Sequence, residues 1–259
     1  MGHAVEIGLL DGNPVDAVQW KRAKAAGEEV DRQVVASPEQ VRELLTAVTY
    51  VGRTVGPQLH AFFALLYFAA LRPSEAMALK AADCELPAVA GRWGRLLLES
   101  SRPQAGRAWT DNGERAESRV LKWRGRRDVR PVPIPPELVS ILRAHISTYG
   151  TAADGRLFRT ALGGDYSPSA YWRAWQAARQ YALPPEVAAG PLAGRPYDLR
   201  HGGVTLWLNA GVPAPEVARR AGHSVDVLLK VYAGCIDGQA GAANDRITRA
   251  LEGRGGTVH

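Results

Sequence analysis

Residues 59–75 read Leu59-His60-Ala61-Phe62-Phe63-Ala64-Leu65-Leu66-Tyr67-Phe68-Ala69-Ala70-Leu71-Arg72-Pro73-Ser74-Glu75. From Leu59 to Phe68 apolar side chains fall on every face of a helix, as expected at the centre of an α-rich core. The unbroken apolar run, Ala61 to Leu71, is eleven residues long, against about 20 for a membrane span. It predicts a buried helix and no membrane partner. Pro73 lacks an N–H and drives Arg72 out of helical geometry. The helix therefore stops before Arg72 and a second one runs from Pro73 through Leu79, which sets an arginine at a helix N-terminus.

Upstream, Ser37-Pro38-Glu39-Gln40 supplies an N-cap, a proline at the first helical position and a capping-box glutamine. Val41, Leu44, Leu45 and Val48 follow at helical spacing, so the compact domain starts at residue 37. Downstream, Leu96–Leu98, Arg119–Lys122 and Val129–Ile134 read as short strands, with Pro131 and Pro133 marking an edge. Helical patterns occupy 137–146, 168–182, 198–210, 214–221 and 225–232, punctuated by Gly150, Gly211 and Gly222. The fold class is α+β, mostly α, with a small antiparallel β-sheet. Residues 1–19 hold too few apolar positions to close a core, 20–36 read as a polar linker, and 253–259 as a frayed tail.

The chain has 259 residues, 46% of them hydrophobic and 22% charged, which excludes collagen-like, low-complexity and wholly disordered classes. Cys84 and Cys235 are the only cysteines. Far apart in sequence, they give neither a disulfide framework nor a C-x-x-C site, so two reduced thiols and no metal are expected. Met1 to Leu10 contains Glu6 and lacks the pattern of a secretory signal, making the cytoplasm the default location. The formal charge is +6 and the pI near 9.5. Of 32 cations 27 are arginine, the side chain whose planar fork matches phosphate oxygens in pairs. A nucleic-acid partner is the hypothesis these numbers raise.

Pro196-Tyr197-Asp198-Leu199-Arg200-His201 opens a helix in which Asp198 can cap and Arg200 falls in the first turn, where free N–H groups favour anions. Gly222-His223-Ser224 ends one short helix and caps the next, and nine residues after His223 comes Tyr232. Taken in order, Leu71-Arg72-Pro73-Ser74-Glu75, Tyr197-Asp198-Leu199-Arg200, Gly222-His223 at 23 residues beyond Arg200, and Tyr232 form a spaced pattern. It resembles that of the tyrosine recombinase, or phage integrase, family, from about Ser37 to Leu251.

That resemblance implies a mostly helical catalytic domain at 37–252, preceded in 1–36 by a remnant of an N-terminal DNA-binding domain and its linker. It implies site-specific recombination of double-stranded DNA through a covalent 3′-phosphotyrosyl intermediate, with no cofactor and no metal. Arg72 matches the first arginine and Arg200 the second; both would hold the non-bridging oxygens and stabilise the charge of the transition state. His223 would add a hydrogen bond to the same oxygens, and Tyr232 matches the nucleophile. The acid for the leaving 5′ oxygen would be Lys122, the lone lysine of Arg119–Arg130. That run holds six cations and one anion, which suits a hairpin contacting phosphates. The family implies a homotetramer on two DNA sites, a C-terminal helix at 243–251 that is either exchanged with a neighbour or packed on its own domain, and an accessory directionality factor as a further partner.

Two departures stand out. Tyr197 occupies the position usually held by histidine; a phenol is a poor proton acceptor at neutral pH but hydrogen-bonds a phosphate oxygen. This leaves slower cleavage or a different base, with His201 expected behind the site and Glu75 and Asp198 as props for the arginines. The short N-terminus implies fewer phosphate contacts and weaker sequence-specific binding. The rival readings are a non-catalytic DNA-binding remnant or regulator of a complete integrase, favoured by the helix-turn-helix look of 214–222, and a type IB topoisomerase.

Overall fold

The computed structural model describes residues 5–14, 29–101, 119–120, 129–236 and 239–252. Helix α1 opens where the capping residues place it, but the folded unit reaches further back than residue 37: Val30 and Ala36 are buried in the core, and Val34 O accepts from Ala193 N at 2.9 Å, so 30–36 is packed chain rather than a polar linker. Ser37 Oγ accepts from Gln40 N at 3.2 Å, and Ser37 N donates to Gln40 Oε1 at 2.9 Å. Helix α1 (Pro38–Val48) then buries Val41, Leu44, Leu45 and Val48. The apolar stretch forms α2 (Val55–Phe68), buried along nearly its whole length. Its Phe62 meets Phe63, Phe158 and Tyr171 at ring-centroid distances of 5.2, 5.7 and 5.1 Å. Such a helix is stable only inside a protein, because it has no polar face to give to water.

Pro73 breaks the chain as expected, and α3 (Pro73–Ala78) starts with Arg72 extended at its N-cap. Strands β1 (Cys84–Glu85), β2 (Gly94–Leu98) and β5 (Arg130–Ile134) form an antiparallel sheet in the order β1-β2-β5. Pro131 and Pro133 are tolerated because β5 lies at the edge. A second ladder pairs β3 (Ser100–Ser101) with β4 (Arg119–Val120). Helices α4 (Pro136–Tyr149), α5 (Pro168–Ala182), α6 (Pro185–Ala188), α7 (Pro196–Asn209), α8 (Ala214–Ala221), α9 (Val225–Tyr232) and α10 (Gln239–Glu252) complete the described chain. The architecture is α+β and mostly helical, with a small antiparallel sheet, as the patterning predicts.

One helix start differs from expectation. α7 begins at Pro196 with Arg195 as its N-cap, so Asp198 is the third helical residue rather than the cap. Its carboxylate accepts from Arg195 N at 2.7 Å and from Arg195 Nη2 at 2.8 Å. Helices α3 and α7 thus open with the same device, an arginine N-cap, a proline at the first turn and an acid three residues on. Arg200 consequently lies beyond the first turn of α7.

Gly202 and Gly203 let α7 cross α2 at backbone contact. A Cβ on Gly203 would lie 2.0 Å from the Tyr67 carbonyl oxygen, and one on Gly202 would lie 3.0 Å from the Tyr67 ring. This close crossing carries Arg200, one turn earlier on α7, to the chain reversal after α2. Replacing Gly203 with alanine is expected to wedge the two helices apart. Overpacking of this kind costs about 1–3 kcal/mol, to be read as a lower urea midpoint with an unchanged slope.

Candidate active site

The site is organised around Glu75, a carboxylate almost without solvent exposure. Its Oε1 accepts from Arg72 Nη1 at 2.9 Å, and its Oε2 from Arg72 N at 2.9 Å and from Arg130 Nη2 at 2.7 Å. Arg200 Nη1 stands 3.9 Å from the same oxygen. Burial opposes the charge of Glu75, but the guanidiniums of Arg130, Arg200 and Arg72 outweigh it and hold the carboxyl down at about 2. Three cations around one anion leave two net positive charges, which suits the charge that builds on a phosphodiester under attack.

Carbonyl oxygens fix the two outer arginines. Arg200 is fully buried, and burial works against its charge while Glu75 supports it. It donates to Ala70 O, to Ala221 O at 2.6 Å and to His223 Nε2 at 2.7 Å. Ala70 has φ +47°, a left-handed conformation that costs a non-glycine residue about 1–2 kcal/mol. The carbonyl offered there is one of Arg200's acceptors. Arg72 Nη2 donates to Gly222 O at 2.8 Å. The carbonyl end of α8, its negative pole, therefore faces both guanidiniums. Gly222 has φ +67°, and a Cβ there would lie 1.8 Å from Arg130 Nη1. Glycine is needed on both counts.

Because a guanidinium only donates, His223 accepts through Nε2, and its proton sits on Nδ1. That Nδ1–H is buried and finds no acceptor among the described residues, as does Arg200 Nε–H. Two donors thus await a ligand oxygen. Burial, with Arg200, Arg72 and Arg130 nearby, pushes His223 down to about 3, so it is neutral at pH 7.

Tyr232 ends α9 fully buried, and its ionisation is pushed up mainly by that burial, with Arg200 working the other way. Its hydroxyl lies 2.9 Å from His201 Nδ1. The Tyr197 ring meets His201 edge-on at 5.1 Å, and Arg200 Cζ lies 6.0 Å from the Tyr197 ring centre. Tyr197, His201, His223 and Tyr232 line a cleft of about 460 Å³ whose other wall includes Glu29 and Asp31. Val30 runs along α9, donating to Val231 O at 2.7 Å and accepting from Cys235 Sγ at 3.4 Å.

Arg72, Tyr197, Arg200, His223 and Tyr232, distant in sequence, are thus brought together. Lys122 lies outside the described residues, as do the others of 121–128 in the basic run expected to form a hairpin. Three readings change. Arg130, counted with that hairpin, points inward with Val132 and Ile134 and belongs to the Glu75 cluster. The alternation of its strand was the available signal. Asp198 props Arg195 rather than Arg200. His201 does not stand behind the site but touches the Tyr232 hydroxyl. The helix-turn-helix look of 214–222 is the turn at Gly222 that delivers His223. Among the described residues no group of three or more His, Cys, Asp or Glu side chains is placed for a metal ion.

No protein-family model matches the chain, and no curated protein matches it by sequence. Solved structures do match. The Tn1549 transposon integrase in complex with circular intermediate DNA aligns with a TM-score of 0.61 and 18% identity over 85% of this chain and 68% of that one. XerH site-specific recombinase, in a post-cleavage complex with palindromic difH substrate, gives 0.57 and 14% over 86% and 54%. XerA recombinase gives 0.54 and 16% over 84% and 65%. The chain therefore has the catalytic-domain fold of the tyrosine recombinases.

Replacing Glu75 with glutamine leaves Arg130 and Arg200 buried without their counter-charge. Breaking a buried ion pair in this way costs about 3–5 kcal/mol, to be measured by urea unfolding. The two depressed histidines set a pH dependence. Each binds its proton more weakly folded than unfolded, so their contribution is whole above about pH 6.5. It is lost as pH falls toward about 4 for His201 and about 3 for His223. Unfolding midpoints measured down this range should fall less steeply in His223→Gln.

Proposed function

We propose that this chain breaks and rejoins double-stranded DNA at specific sites, with Tyr232 as nucleophile and residues 37–252 as the catalytic domain. The observation that carries the reading is the convergence of Arg72, Arg200, His223 and Tyr232, from four separate segments, on one cluster with unpaired donors. The likeness to a transposon integrase and to XerH recombinase, both solved with DNA, and to XerA recombinase supports it.

In this reading Tyr232 Oη attacks phosphorus, a 3′-phosphotyrosyl bond forms and the bond to the 5′ oxygen breaks. Arg72 and Arg200 hold the non-bridging oxygens while Arg130 keeps Glu75 from neutralising them. His223 Nδ1–H donates to one of the same oxygens. Lys122 is proposed as the acid that protonates the leaving 5′ oxygen, as the lone lysine of the basic run Arg119–Arg130. Tyr197 contributes a hydroxyl to the cleft. Recombination would use a homotetramer on two duplexes, joined through α10, whose Ile247 and Leu251 are exposed. A directionality factor would act on that assembly.

A second reading, a non-catalytic DNA-binding regulator, draws on the complete burial of Tyr232 and Arg200. Incubation with supercoiled plasmid and a detergent quench separates the two. Catalysis predicts relaxed plasmid and protein-linked DNA that vanish in Tyr232→Phe, with plasmid binding retained. Binding without any adduct from the unaltered protein would select the regulator.

A further inference from the structure

We propose that His201 is the general base of this site, taking the Tyr232 proton on Nδ1 as the tyrosine attacks. The proposal rests on Tyr232 being the nucleophile and assigns the proton that Tyr197 is ill suited to accept.

The direction of the hydrogen bond follows from burial. Tyr232 has no exposure, and its hydroxyl proton needs an acceptor; the partner it has is His201 Nδ1 at 2.9 Å. Oη therefore donates, Nδ1 accepts, and the imidazole proton lies on Nε2. Proton transfer needs only this contact, since a base must stand within hydrogen-bond reach of the proton it removes. The other candidates are excluded by what they already do. His223 engages its Nε2 lone pair with Arg200, and its second nitrogen carries a proton. Tyr197 offers no basic nitrogen. It lies one helical turn before His201, with the two rings in edge contact. His201 falls on the same face of α7 as Tyr197, and that placement brings its imidazole to the nucleophile.

The charged surroundings are consistent with this role. Burial, opposed by Asp198 and assisted by Arg200 and Arg195, holds His201 at about 4, so it is a free base at neutral pH. Glu29, Asp31 and His223 line the same cleft. An incoming phosphodiester brings negative charge that offsets the arginines and raises the basicity of the ring as the reaction begins. In the step itself the Oη–H bond breaks and the proton moves to Nδ1. The Oη–P bond forms, and the bond from phosphorus to the 5′ oxygen breaks. That oxygen leaves as an alcohol with the proton assigned to Lys122. On rejoining, the imidazolium returns its proton to Tyr232.

The test uses the full chain, negatively supercoiled plasmid and a detergent quench, with adduct formation timed from about pH 5.5 to about pH 9, and compares His201→Phe and His201→Asn. The Asn oxygen stands near the place of Nδ1 and keeps an acceptor without a usable base. Both variants should be slower by about 10²- to 10⁴-fold, and their rates should rise with pH where that of the unaltered protein is flat. An Asn variant with near-normal, pH-independent rates would make His201 a positioning residue and overturn the proposal. If the unaltered protein gives no adduct, the assignment of Tyr232 fails, and the base with it. Nitrogen NMR of the unaltered protein reads the tautomer without any variant at 201. A protonated Nδ1 would overturn the proposal; a bare Nδ1 whose signal moves in Tyr232→Phe would support it.

Discussion

A buried carboxylate with three guanidiniums around it fixes the geometry of everything else in this site. Taking such charges out of water is expensive, and the arrangement survives because each group is also tied to the backbone. Glu75 accepts from the amide of its own N-cap residue, Arg72 reaches the carbonyl of Gly222, and Arg200 reaches two carbonyls at the ends of helices. The helices have little freedom to shift without leaving a charge unpaired. The same ties explain why the donors that face the cleft are aimed before any ligand arrives.

Tyr232 is enclosed on the side away from the arginines. Val30 pairs with the last turn of α9, and Cys235 Sγ closes on the Val30 carbonyl. Tyr232 and Arg200 are both buried, and the cleft that reaches Tyr232 is bounded by Glu29, Asp31 and Tyr197. The carboxylates of Glu29 and Asp31 put negative charge on the cleft, whereas the Glu75 cluster carries net positive charge.

Most of the fold was legible because its signals are local. Proline and capping residues fixed the starts at Pro38 and Pro73, and the apolar run fixed α2 as the buried centre. Of the site, Arg72, Arg200, His223 and Tyr232 were readable through ordered spacing. Arg130 was not, because a lone inward cation among basic neighbours looks like part of a solvated hairpin until its strand is paired. Nor was the bond between His201 and Tyr232, which depends on how α7 and α9 pack. Asp198 misled because an acid near a helix start fits both the cap and the third position, and only the proline's place in the turn decides between them.

Position 222 has a consequence for how such a protein could drift. A glycine codon lies one base from alanine, valine and aspartate, each of which brings a Cβ to the spot now filled by Arg130. The added carbon would displace that guanidinium from Glu75 and loosen the pair that aims the other two arginines. A single nucleotide change at this glycine would then undo the charge cluster without touching any of its charged residues. The absence of one methyl group at Gly222 is, in that sense, as heritable a part of the cluster as any side chain within it.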